Sequence, residues 1–178
     1  TAMPLIPKAI VGRVARRYIA GTTLADGVRT VKRLNDAGMM TTMDLLGEDV
    51  RDDREAQMVR ENILPILRTI NQNKLNSNVS IKPTQLGLSI DKELGCQNIR
   101  TIFEEARKLG NFVRIDMEDA QTTDTTLEMF RRLRGEGFTN TGVVIQSYLH
   151  RSETDVRSLV KEGANIRLCK GIYNESPS

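Results

Sequence analysis

Thr41-Thr42-Met43-Asp44-Leu45-Leu46-Gly47-Glu48-Asp49 is the stretch that decides between two folds. Residues 41–46 form a largely apolar run of strand length, and Gly47 opens a turn behind it. An open α/β sheet that binds a nucleotide usually follows its first strand with a glycine-rich turn, whose backbone N–H groups face the phosphates. Here that position holds Glu48 and Asp49, whose carboxylates repel phosphate. The turn therefore favours the other architecture of alternating strands and helices, a (β/α)8 TIM-type barrel of the α/β class.

The pattern around this stretch repeats. Apolar strand-length runs recur at residues 78–81, 112–115, 142–145 and 166–169. Near-continuous apolar runs separated by helical stretches are how a parallel sheet with covered faces reads. Thr22 or Thr23 caps a helix through Val28, Val31 and Leu34, with Gly38 as its stop. Asp52 or Asp53 precedes a stripe of Val59, Ile63, Ile66, Leu67 and Ile70, in which Pro65 predicts a kink or break. Ile99, Ile102, Phe103, Ala106 and Leu109 make the next stripe, closed by Gly110. Thr125 with Glu128, and Ser152 with Asp155, have capping-box spacing, and Gly163 ends the last stripe. Residues 9–18 read as a preliminary helix.

The organisation is thus an N-terminal helical part, residues 1–38, and then residues 39–178 as the first five strand–helix units, the fifth without its helix. Five strands of a barrel leave two unpaired edges. The chain also starts at Thr1 rather than Met and stops just beyond a strand-like run. We expect it to be a fragment, with the remaining strands supplied by a missing or separate C-terminal segment.

Composition narrows the function classes. The 178 residues carry 26 Lys+Arg against 23 Asp+Glu, a net charge of +3. Acids and bases alternate along the chain rather than segregating, so no nucleic-acid partner is expected. With 39% apolar and 28% charged residues, the chain has globular rather than disordered composition. No apolar run approaches the roughly 20 residues of a bilayer helix. Two cysteines, Cys96 and Cys169, suit a reducing compartment and read as packing residues. The single histidine, His150, sits in a polar stretch and reads as a surface residue, which disfavours His-based metal sites and Ser/His/Asp triads.

Each strand-like run ends in polar residues: Asp44 and Glu48, then Lys82, then Asp116 and Glu118, then Gln146 and Tyr148, then Lys170 and Tyr173. Arg167 lies inside the fifth run. In barrels of this class the C-terminal strand ends form the active face, and buried charges there must pair or bind something. Each residue also has a plain structural reading. Lys82 reads as a snorkelling lysine, Asp116 and Glu118 as caps of the following turn, and Arg167 as an ion pair with Asp116. Gln146 reads as a satisfied core amide, and Tyr148 and Tyr173 as packing residues. Asp52-Asp53 and Arg131-Arg132-Arg134 read as solvated helix faces.

The strand-end motifs Met43-Asp44-Leu45-Leu46-Gly47-Glu48, Val79-Ser80-Ile81-Lys82-Pro83-Thr84, Arg114-Ile115-Asp116-Met117-Glu118, residues 142–149 and Arg167-Leu168-Cys169-Lys170-Gly171-Ile172-Tyr173 resemble the successive strands of proline dehydrogenases. The resemblance runs from about residue 40 to the end. It implies an FAD-dependent barrel enzyme that oxidises L-proline to Δ1-pyrroline-5-carboxylate and passes electrons to a membrane quinone. It further implies that Arg167 stands beside the flavin's reactive nitrogen, and that Gln146 hydrogen-bonds the isoalloxazine ring. Lys170, Gly171 and Ile172 wrap the cofactor, and Met117 contacts it. Lys82, Asp116 and Tyr173 belong to the substrate pocket, where Glu48 pairs with an arginine to gate entry, and Asp116 is expected to orient Lys82. Cys169, Ile172 and the Pro83-Thr84 pair depart from the common residues without removing a polar group. The family's paired arginines on the final helix have no counterpart here. Cytoplasmic or mitochondrial-matrix residence, peripheral to the inner membrane, is the implied location. Two other readings stay open: a Schiff-base barrel enzyme of aldolase type using Lys82 or Lys170, and a non-catalytic barrel fragment acting as an interaction module.

Overall fold

The computed structural model describes residues 19–47 and 50–171, so the helix expected over residues 9–18 lies outside the described residues. Helix α1 (Leu24–Asp36) leads into β1 (Thr41–Asp44). Then follow α2 (Asp53–Gln72), β2 (Ser77–Ile81), a single 3-10 turn (Thr84–Leu86), α3 (Lys92–Lys108) and β3 (Val113–Ile115). The described part closes with α4 (Ala120–Gly135), β4 (Thr141–Gln146), α5 (Ser152–Lys161) and β5 (Asn165–Cys169).

Local chemistry explains most of the boundaries. Thr23 caps α1 through a reciprocal box with Asp26, and Gly38 follows with φ 80°. Asp52, Asp91 and Asp119 each accept the backbone N–H three residues on, starting α2, α3 and α4. Such a cap contributes about 1 kcal/mol. The break allowed for at Pro65 and two capping expectations fail. Pro65 does not break α2, because it sits on the exposed side, where the carbonyl it leaves without a partner faces water. Thr125 is interior to α4, since Asp119 caps that helix earlier. Ser152 is the first residue of α5 rather than its cap; its hydroxyl donates to the Gln146 carbonyl at 2.5 Å instead.

The strands are parallel and ordered β1-β2-β3-β4-β5, each beside its sequence neighbour. A doubly wound sheet reverses this order at a switch point. The unbroken order is that of a half-barrel. Its register separates two faces. Met43, Val79, Ile81, Val113, Ile115, Val143 and Ile145 join the apolar stripes of the helices in one core. Phe103 and Phe138 meet edge-to-face within it, 5.7 Å apart.

The opposite parity forms the inner face, and it is polar. Asp44, Ser80, Arg114, Gly142 and Asn165 stand in one row across the five strands. Two residues on, Arg167 pairs with Val144, and Asp116 continues β3 by donating its N–H to the Ile81 carbonyl at 2.9 Å.

At the N-terminal ends of the strands, asparagine amides stitch one unit to the next. Asn35 donates to the Met39 and Asn76 carbonyls at 2.9 and 3.1 Å, and Asn76 returns its N–H at 2.9 Å. Asn111 donates to the Ser77 carbonyl at 3.2 Å and Asn140 to the Asn111 carbonyl at 3.1 Å. Outside, ion pairs link neighbouring helices. Arg131 and Arg134 reach Glu162 (the latter at its carbonyl) and Arg132 reaches Glu93, so this solvated arginine cluster also cross-links neighbouring helices.

Candidate functional site

The inner face gathers its charges at the C-terminal end of the sheet. Arg167, on β5, reaches over β4 to Asp116 beyond β3: its Nη2 lies 3.0 Å from Asp116 Oδ1 and 3.4 Å from Ser80 Oγ. Lys82 Nζ lies 3.4 Å from Asp44 Oδ2. The partner of Lys82 is therefore Asp44, not Asp116 as expected, because Asp116 is taken by Arg167. Burial pushes the Asp44 carboxyl up, against the pull of the Lys82 ammonium and its hydrogen bond, and the nearby Asp116 charge adds to the rise. Arg167 and Asp116 keep 39% and 23% of their side-chain surface exposed. A pair so open contributes about 0–1 kcal/mol to stability, too little to explain why it is there.

One row further up sits Gln146. Its side-chain Nε2 donates to the carbonyls of Met117 and Glu118, at 2.8 and 2.6 Å. Two backbone acceptors fix which end of the amide points where, so Oε1 faces the other way. That oxygen is buried and has no hydrogen-bond partner among the described residues. A buried acceptor left without a donor costs about 1–3 kcal/mol, so Gln146 is not the satisfied core amide its plain reading expected. Gly171, at φ 101°, packs against it: a Cβ there would stand 1.9 Å from the Tyr148 ring and 2.9 Å from Gln146 Oε1. Only glycine fits this approach. The Met117 side chain joins the apolar core, while its carbonyl faces Gln146.

Glu118 ties two loops together. Its carboxylate accepts the Thr84 N–H at 2.9 Å and the Thr84 hydroxyl at 2.6 Å. Burial pushes this carboxyl up, and both Thr84 bonds pull it partly back. The turn-capping role expected of Asp116 and Glu118 belongs instead to Asp119.

Lys82, Asp116, Gln146 and Arg167 thus share one rim, with Lys170 and Gly171 just beyond β5. Glu48, Ile172 and Tyr173 lie outside the described residues. Cys96 is buried as expected; Cys169 is exposed rather than packed, at the end of the β5 inner face. Residue-by-residue reading missed Ser80, Thr84 and the inner-face orientation of Arg114. Alternation along the strands carries the signal, since Ser80 and Arg114 have the same parity as Lys82 and Asp116.

A family model described as proline dehydrogenase matches residues 27–176. Proline dehydrogenase 1 of Bacillus subtilis is 40% identical over 162 residues, which cover 91% of this chain and 53% of that protein. Proline dehydrogenase of Deinococcus radiodurans is 35% identical over 166 residues, covering 91% and 54%. The chain spans about half the length of these curated relatives. Among solved structures, proline utilization A from Bdellovibrio bacteriovorus, inactivated by N-propargylglycine, superposes with a TM-score of 0.78 at 27% identity, over 87% of this chain and 20% of that one. With a family model over most of its length laid on a half-barrel whose inner rim is charged, this chain belongs to the proline dehydrogenase family.

Proposed function

We propose that the protein containing this chain oxidises L-proline to Δ1-pyrroline-5-carboxylate, with FAD as hydride acceptor and a membrane quinone as the next electron acceptor. The observation that carries this reading is the meeting of Lys82, Asp116 and Arg167 on the inner face, in a chain of this family.

The residues fit a flavin. Gln146 Oε1 is a buried acceptor in need of a donor, and the isoalloxazine ring offers an N–H. Arg167 on the same inner face and Lys170 just beyond β5 supply positive charge, and Gly171 gives close approach. Gln146, Arg167, Lys170 and Gly171 would hold the cofactor, with Met117 and Ile172 beside them. When bound, the flavin supplies a two-electron acceptor for the hydride leaving the carbon next to the proline nitrogen. Arg167, fixed by Asp116 and Ser80, presents a preorganised cation to negative charge that develops at that end of the barrel. Asp44 holds the Lys82 ammonium toward the substrate pocket, to which Glu48 and Tyr173 also belong. Asp116 acts by holding Arg167, and water takes the amine proton.

In this reading residues 39–178 are the first five units of the barrel, and a C-terminal segment completes the substrate site. The protein works in a bacterial cytoplasm or mitochondrial matrix, peripheral to the inner membrane where the quinone resides. Among the described residues no helix is long and apolar enough to cross a membrane.

The test is the visible absorption spectrum of the full-length protein, purified and kept without oxygen, before and after adding proline. A flavin band that bleaches supports the reading. A colourless protein whose lysine is trapped by borohydride with a carbonyl substrate overturns it in favour of the Schiff-base enzyme.

A further inference from the structure

Strands β3 and β5 are not neighbours, yet they are tied together twice across β4, and the two ties are reciprocal. Arg167 of β5 reaches Asp116 beyond β3 at 3.0 Å. One row below, Arg114 of β3 reaches Asn165 of β5, donating to its carbonyl at 3.1 Å and to its side-chain oxygen at 2.8 Å. Arg114, Gly142 and Asn165 are register partners, so the arginine passes straight over β4. Gly142 makes that passage possible: a Cβ there would stand 2.3 Å from Arg114 Nη1. The Phe112 ring supports the guanidinium from beneath, 4.8 Å from its centroid.

We propose that Arg114 is a positioning residue, which holds β5 against β3 so that Arg167 meets Asp116. This rests on the flavin reading above only for its catalytic consequence. Stability alone does not account for the arrangement. Burial and the Arg167 charge both disfavour the Arg114 cation, the Asp116 charge offsets them only in part, and Asn165 is neutral, so the tie brings a second positive charge into the inner face without a carboxylate partner of its own. What it supplies is direction. The strand carrying Arg167 is at the margin of the described sheet, with β4 as its one strand neighbour there, and the Asn165 carbonyl and amide oxygen give Arg114 two points of hold on it.

The test is a double-mutant cycle with Arg114→Met and Arg167→Met in the full-length protein. Arg114→Met alone lowers turnover per bound flavin by about tenfold; in the Arg167→Met background it lowers it less than twofold, since the guanidinium it places is gone. Equal losses in both backgrounds overturn the proposal. A second readout needs no flavin and no proline: thermal unfolding of the flavin-free protein. Positioning makes the two changes together cost less than their sum, by about 1–2 °C, the scale of the Arg167–Asp116 pair itself. Additive shifts overturn it, and so does a joint cost above the sum, the sign expected if repulsion between the two arginines dominates. Asn165→Ala, which removes only the side-chain half of the tie, gives the same direction at smaller size if Arg114→Met does not fold. A protein that oxidises no proline defeats the functional reading and leaves the unfolding cycle to decide this one.

Discussion

The two ends of this sheet solve the same problem with different chemistry. At the N-terminal end the loose carbonyls are met by neutral amides: Asn35 and Asn76 bind each other, Asn111 reaches Ser77, and Asn140 reaches Asn111. At the C-terminal end the inner face carries Asp44, Lys82, Asp116 and Arg167, partly open to solvent, with Gln146 Oε1 buried and unmet among the described residues. Neutral amides join strands without electrostatic consequence, and a change there registers as stability. Charges held partly open add little stability and keep their fields directed into the barrel mouth. One end holds the fold, and the other is set up to act.

The sharpest way to break this contrast is at Arg167. Arg167→Met is expected to lower turnover by ~100-fold, the scale for losing one preorganised donor, while the melting temperature moves little. A loss of only a few-fold per bound flavin makes Arg167 a structural residue. Lys82→Ala is expected to raise KM for proline by roughly tenfold, the scale of losing one charge-assisted contact, with a smaller change in kcat. An unchanged KM removes Lys82 from the pocket.

At the other end the expectation inverts. Asn111→Ala leaves the Ser77 carbonyl and the Phe112 N–H without their partner, a cost of about 1–2 kcal/mol, or roughly 2–8 °C in melting temperature. Activity per folded molecule stays at the wild-type level, and a loss of kcat there would erase the distinction between the two ends. The smallest effect is at Glu118. Burial raises its folded pKa, so its ionised form is disfavoured in the folded state. Its contribution to stability is therefore full below the ordinary glutamate range, about 4.3, and is lost as pH rises through the raised folded value. The wild-type melting temperature, measured relative to Glu118→Gln, should fall as pH rises above about 4.3. A difference that is flat, or that climbs with pH, contradicts the burial effect.

What was legible in the sequence follows the same division. The strands were readable because buried parallel strands are runs of apolar residues, and the turn 46–49 separated barrel from open sheet by charge alone. Lys82, Asp116, Gln146 and Arg167 were readable as polar residues that end or interrupt such runs. Partnerships were not. Nothing local says that Lys82 meets Asp44, or that Arg167 crosses β4 to Asp116, because both depend on the stagger between strands, with partners 38 and 51 residues apart in the chain. Capping was half legible for a related reason: Thr125 has the spacing of a cap, yet Asp119 begins the helix earlier and leaves Thr125 inside it.

The most direct measurement is a crystal structure of the full-length protein with its cofactor. The expected density is a tricyclic ring lying on the inner face, with an N–H donated to Gln146 Oε1 and the Arg167 guanidinium at its edge. A ring found among the outer helices, or at the asparagine-stitched end, would contradict the assignment of function to the charged rim.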